Sequence, residues 1–239
     1  MQLSEFFAGA SGPAPLVTGV RGTLTVHDLG TLRVPSGSLG AADPFVALDL
    51  PITVQIPPGA YPVTVTVADV STEQDGSHRR EAYLSLILSD APTVDLEPVP
   101  GPYGPPEDDS YFGVAVDAGT VAFFDAAAVA TSMPGDGDDW YDDVFDTGEP
   151  GSWFDIMDAD APLPAGTANI EMPLAQAGEN VVLAHSGWGD GFYPVVQTRD
   201  AEGRLTGVHI DLRVVGSAPD AEPTGAAKSW IARVKRLLG

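Results

Sequence analysis

The sequence predicts a mainly β protein: two related β units forming one sandwich- or barrel-like body, with short helices in an insertion and a C-terminal amphipathic helix. Three observations carry this. Apolar residues alternate with a period of two at Leu24 and Val26, at Val63, Val65 and Val67, and at Val208, Ile210, Leu212 and Val214, the mark of strands with one buried face. Turn-forming Gly and Pro residues punctuate these runs at short intervals. Two motifs recur in the same order. Val34-Pro35-Ser36-Gly37-Ser38-Leu39, with Asp43, aligns without a gap on Val116-Asp117-Ala118-Gly119-Thr120-Val121, with Asp125. Gly59-Ala60-Tyr61-Pro62-Val63 then returns as Gly191-Phe192-Tyr193-Pro194-Val195. The order implies an internal duplication.

Taken in order, residues 4–8 suit a short helix with Ser4 as N-cap. Residues 23–29 form a strand, Gly30 turns the chain, and residues 31–34 form a second strand. Pro35-Ser36-Gly37 is a turn. Asp43-Pro44 forces Asp43 out of the helical region, and residues 45–56, broken by Pro51, suit an edge strand or extended crossing segment. Pro57-Pro58-Gly59 is a hard turn into a strand over residues 61–67, with Pro62 at its start. A loop containing Asp75-Gly76 leads to the return strand at residues 80–88.

The six prolines of residues 91–110 make that segment a connector between the halves, half one covering about residues 20–90 and half two residues 111–215. In half two a strand region at residues 112–125 precedes an insertion over residues 126–165. The insertion opens with a short helix capped by Asp125, and strands resume at residues 167–184 and at 193–198 and 207–215. Residues 216–227 form a Gly/Ala/Pro linker. Residues 228–239 form a basic amphipathic helix with Trp230, Ile231, Val234 and Leu237 on its apolar side, suited to docking on the chain's own acidic body.

The order of G-x-L-x-x-P-S-G-x-L-x-x-x-D-P (residues 30–44), P-P-G-x-Y-P-V (57–63), V-D-A-G (116–119) and G-x-G-D-G-x-Y-P-V (187–195) resembles the uncharacterised bacterial family called domain of unknown function 4241. The resemblance spans about residues 20–215, and its hallmark is the triplet Gly189-Asp190-Gly191. It brings no established activity, substrate or catalytic residue.

Composition narrows the function. The net charge is −23, with no Lys or Arg between Arg80 and Arg199 and both lysines in the tail. Such a field repels phosphate backbones, so nucleic acid is not an expected partner and a basic protein is. Cysteine is absent, which removes disulfides and thiolate chemistry and fits a cytoplasmic location. No basic n-region opens the chain and no apolar run reaches the length of a spanning helix, so neither signal peptide nor integral membrane association is expected.

Residues 136–160 hold ten acidic residues and no basic one. The EF-hand template fails there, since Trp140, Tyr141 and Thr147 stand at ligand or glycine positions. The segment reads instead as a partner surface made of Asp138, Asp139, Trp140, Asp142, Asp143 and Trp153. His185-Ser186 lacks a nucleophile elbow, and neighbours on a strand face opposite ways. No cofactor is expected, with a divalent cation as the one candidate. The first reading is a non-enzymatic acidic interaction protein, of an inhibitor or immunity type, for a basic partner. The second is an aspartate-dependent hydrolase or carbohydrate-binding protein. It requires Asp43, Asp117 or Asp125 to approach Asp190 in a pocket with Tyr61 or Tyr193. Oligomeric state is not legible.

Overall fold

A computed structural model describes residues 2–216, apart from 102, 103, 108, 109, 136 and 138. The expected tail helix with Trp230, Ile231, Val234 and Leu237, and the acidic residue Asp138, lie outside the described residues.

Thirteen strands among the described residues form two sheets. In chain order they are β1 (Gly12–Pro15), β2 (Arg21–Val34), β3 (Ser38–Ala42), β4 (Ile52–Gln55), β5 (Gly59–Asp69), β6 (Arg79–Ile87), β7 (Asp95–Pro98), β8 (Gly113–Val116), β9 (Thr120–Asp125), β10 (Thr167–Glu171), β11 (Asn180–His185), β12 (Gly191–Arg199) and β13 (Leu205–Asp211). The larger sheet runs β1-β2-β5-β6-β13-β12-β7, with β8 also paired to β12, and it curls as half a barrel. The smaller runs β10-β11-β9-β3-β4. Pairing is antiparallel throughout.

The alternating apolar residues meet between the sheets. Leu32, Val63, Val65, Leu84, Leu86, Val195, Val208 and Ile210 of the larger sheet pack on Leu39, Val121, Phe123 and Val182 of the smaller. This burial is the main stabilising term, worth roughly 1.5–3 kcal/mol for each fully buried aliphatic side chain. The other face of the smaller sheet is also apolar, because the insertion covers it. Phe45 and Phe124 pack there with Trp140, Phe145, Trp153 and Met157. The insertion carries two short α-helices, Val129–Ser132 and Trp153–Asp158, around a π-helical turn, Tyr141–Phe145.

The strand pairing follows the offsets between the recurring sequence motifs. Ala41 of β3 lies opposite Phe123 of β9, 82 positions on, the offset that carries Val34 onto Val116. Val34 opposite Gly59 is matched by Val116 opposite Gly191, and Thr31 opposite Pro62 by Gly113 opposite Pro194. At the second seam Ser85 of β6 faces His209 of β13. Those two residues hold equivalent places in their hairpins, since Val63 lies opposite Leu86 and Val195 opposite Ile210. Even the bulges correspond, falling after Thr66 in one hairpin and after Thr198 in the other.

Several local expectations are corrected. Gly30 does not end a strand; β2 runs through it with a bulge between Asp28 and Thr31, the Asp28 carboxylate accepting from Gly30 N–H. Pro62 therefore lies inside β5, beside that bulge, rather than at a strand start. Asp43-Pro44 begins a one-turn helix, Pro44–Ala47, with Asp43 as its N-cap and Pro at N1. Residues 4–8 are not a helix. Only Leu3–Glu5 forms a 3-10 turn without a side-chain cap, and Phe6 and Phe7 then lie against the larger sheet, which an extended backbone permits. The helix after Asp125 starts at Val129, and its N-cap Ala128 makes no side-chain bond. The connector holds β7, an edge strand where Pro98 faces Val196 and a missing N–H does little harm.

Candidate functional site

The loop of residues 186–190 joins β11 to β12. Its fixed point is the Gly189 carbonyl, which accepts from Ser186 Oγ at 2.7 Å and Tyr193 Oη at 2.8 Å. Tyr193 folds back over Gly191, whose missing side chain leaves room; a Cβ there would lie 3.3 Å from the ring. The earlier occurrence of the motif works the same way. Tyr61 Oη donates to Pro57 O at 2.6 Å over Gly59, where a Cβ would meet the ring at 2.9 Å. The pattern G-x-Y-P-V is thus a device that locks a strand entry by a tyrosine bonded four residues back.

The second loop is two residues longer. Ile56 N–H donates to Gly37 O, and Ser186 N–H donates to Gly119 O, so Ile56 and Ser186 correspond. Between these and the matched Gly59 and Gly191 stand two residues in one half and four in the other. The surplus pair is Gly187-Trp188. Gly187 has φ +69, and a Cβ on it would lie 2.6 Å from Glu81 O, so the loop sits directly on β6. Trp188 is 41% exposed. Its Nε1 donates to Arg213 O at 3.2 Å, and the Arg80 guanidinium lies 5.5 Å over its ring. Arg80 also donates to Gly187 O and to His78 Nε2.

The four aspartates of the candidate ligand site divide into a buried pair and an exposed pair. Asp43 and Asp125 are buried, and both oxygens of each carboxylate accept hydrogen bonds. Asp43 accepts from Asp117 N–H, Ala118 N–H, Phe45 N–H and Thr120 Oγ1. Burial pushes its carboxyl above the usual range, and these bonds, led by that of Thr120, pull it back. Asp125 accepts from Ser36 N–H, Ser36 Oγ and Ala127 N–H. Asp117 and Asp190 are exposed, beside Val116 and Gly191, which face each other at one end of the β8–β12 pair. Among the described residues no group of three or more His, Asp or Glu side chains is arranged to hold a metal ion.

The partner-surface residues divide. Trp140 and Trp153 are buried in the insertion's own core, where Trp140 Nε1 donates to Pro134 O. Asp139, Asp142 and Asp143 are exposed. The apolar groups presented beside them are Tyr141, 54% exposed, and Ile156, 37% exposed.

Two features were not read from the sequence. One is a polar line on the outer face of the larger sheet, beneath Phe6. Ser85 Oγ lies 2.9 Å from His209 Nδ1, His209 Nε2 lies 3.1 Å from Thr198 Oγ1, and Thr198 continues to Thr206 and Thr93. Burial holds the His209 pKa down at about 3, so the ring is neutral and links the strands rather than accepting protons. Nearby, burial raises Asp211 to about 6 against the opposing Arg213, and raises Glu81 to about 7. His209 and Asp211 share the non-core face of their strand, as their spacing predicts. That a segment far away covers this face has no local signal. The other feature is a groove of about 360 Å³ lined by Pro57, Tyr61, Leu88, Asp200, Arg204 and Leu205. The length difference at Gly187-Trp188 is the sequence signal that points to it.

The family model described as protein of unknown function (DUF4241) matches residues 32–210, and the chain belongs to that family. No curated protein and no solved structure matches the chain. No helix among the described residues is long and apolar enough to cross a membrane.

Proposed function

We propose that the chain is a duplicated β scaffold whose second half carries an acidic insertion, and that this insertion is a non-enzymatic docking face for a basic protein, in an inhibitor or immunity-type role. The duplication rests on the matched offsets at both seams between the halves. The function rests on one observation. The insertion keeps its tryptophans and Phe145 inside, yet leaves Tyr141 and Ile156 exposed among Asp139, Asp142, Asp143, Asp146, Glu149 and Asp155, with no cation in the segment. An aromatic anchor ringed by like charges favours a partner of opposite sign and gives fast, salt-sensitive association.

The hydrolase or carbohydrate reading is left with the exposed Asp117 and Asp190, because the Asp43 and Asp125 carboxylates are buried and bonded to backbone N–H and hydroxyl groups. The test uses immobilised full-length chain and an oligolysine peptide. Binding should weaken steeply between about 50 and 300 mM salt as screening shortens the Debye length. Replacing Asp139, Asp142 and Asp143 with Asn should weaken it far more than the equal charge change at Asp49, Asp90 and Asp95. Equal losses in the two triple variants would refute the insertion as the docking face.

A further inference from the structure

The groove at Pro57, Tyr61, Leu88, Ser89, Asp200, Arg204 and Leu205 has a counterpart in the other half, and that counterpart is filled. The strand registers carry Pro57 onto Gly189, Tyr61 onto Tyr193, Leu88 onto Leu212 and Ser89 onto Arg213. Exchanging the halves carries Arg204 onto Arg80 and Leu205 onto Glu81. The hydrogen bonds agree, since Leu88 N–H donates to Thr206 O and Leu212 N–H donates to Ala82 O.

In the filled counterpart the loop insertion Gly187-Trp188 lies over these residues. Gly187 sits against Glu81 and Leu212, the Trp188 indole donates to Arg213 O, and Arg80 stacks on the ring. Covered in this way, Tyr193 and Leu212 are buried. Half one lacks the two residues, and Tyr61, Leu88 and Leu205 are left only partly buried. The molecule therefore contains, in Trp188, a picture of what its open groove accepts: an indole ring with an arginine above it and a backbone carbonyl for its N–H.

We propose that Trp230 of the C-terminal segment fills the groove beside Tyr61, Leu88 and Leu205, with Arg204 stacked on its ring and the segment's cations against the acidic body. Three of the four tryptophans, Trp140, Trp153 and Trp188, are engaged in half two, and Trp230 is the fourth. Lys228 and Arg233 flank it, and Asp200 and Glu202 stand at the groove with Asp90 next to Ser89. The reach suffices. Gly216, bonded to Pro15, lies five residues beyond the end of β13. Eleven residue steps lead from Leu205 to Gly216, at most about 36 Å. The thirteen residues between Gly216 and Trp230 span up to about 45 Å. This site is separate from the acidic face of the insertion and does not depend on it.

The absence of native cysteine makes disulfide trapping clean. In the full chain, Ser89→Cys with Ser229→Cys should close an intramolecular disulfide under mild oxidation at least tenfold faster than Ser77→Cys with Ser229→Cys. Ser77 is an exposed position in the β5–β6 loop, at the opposite end of the sheet from Ser89. Adding Trp230→Ala should erase the difference. Equal rates for the two pairs, or a rate indifferent to Trp230→Ala, would overturn the proposal. A disulfide that forms only between molecules would overturn it in favour of a second copy's tail.

Discussion

Asp43 and Asp125 stand 82 positions apart in matching sequence motifs, and each grips the turn that opens the other's motif. Asp43 binds the N–H groups of Asp117 and Ala118 and the hydroxyl of Thr120, 74 to 77 residues away. Asp125 binds Ser36 through both N–H and hydroxyl, 89 residues away. Each also caps its own chain two residues on, at Phe45 and Ala127. Breaking such a buried, charge-assisted set leaves donors unpaired. Asp43→Ala and Asp125→Ala should each cost about 2–4 kcal/mol in urea unfolding. Asp117→Ala, at an exposed side chain, should stay within about 0.5 kcal/mol. A small loss at both buried sites would show that the clasp is not structural.

The carboxyl groups of Asp211 and Glu81 make stability depend on pH in an unusual direction. Both have folded pKa values raised by burial, Asp211 from 3.8 to about 6 and Glu81 from 4.5 to about 7. The folded state then binds protons more readily than the unfolded one. Their penalty is complete above pH 7 and is relieved as pH falls through these folded values toward the ordinary ones. His209 acts oppositely: with its folded pKa lowered to about 3, its share of stability is full above 6.5 and fades in acid. Asp211→Asn and Glu81→Gln should each raise stability at pH 8 by on the order of 1–3 kcal/mol and change little at pH 4. Denaturant midpoints across that range would reveal it, and a gain of the same size at both ends would contradict the assignment.

The turn chemistry was legible because it is local. Val34-Pro35-Ser36-Gly37 and Gly59-Ala60-Tyr61-Pro62-Val63 specify their geometry within a few residues, and alternation placed Val63, Val65 and Val67 on the core. What failed to show depended on distant residues. Asp43 looks the same in sequence whether it awaits a ligand or already holds a turn 74 residues on. Trp140 and Trp153 have spacings that suit a presented face as well as a buried one, and only the apolar outer face of β9 and β11 decides between them. His209 and Asp211 occupy the non-core side of an alternating strand, which reads as solvent, until Phe6 closes over it. Gly30 resembles a turn because a bulge and a turn use the same residue.

The tyrosine devices should not be worth the same. Tyr193 is buried, and its hydroxyl bonds a carbonyl fixed inside the loop. Tyr61 makes the equivalent bond at an exposed edge. Tyr193→Phe should cost about 1 kcal/mol, and Tyr61→Phe less than about 0.5 kcal/mol, because water replaces the lost partner only at the exposed site. Thermal or chemical unfolding of the pair would decide, and a larger loss at Tyr61 would contradict the argument.

Trp188→Ala offers the sharpest test of how the two halves differ. The substitution removes the indole under Arg80 and its bond to Arg213 O. Truncating a partly exposed tryptophan should cost about 2–3 kcal/mol, below the range for fully buried ones. The variant should then carry a second open groove, matching the one beside Tyr61. Free indole should restore part of the lost stability in the variant while leaving the Gly187→Ala protein unrescued, since there a Cβ strikes Glu81 O and the ring itself remains. Melting temperatures with and without indole measure this. Failure of indole to stabilise Trp188→Ala above its effect on the native chain would mean that Trp188 acts through its loop rather than by filling a ring-shaped site, and the groove in half one would lose its template.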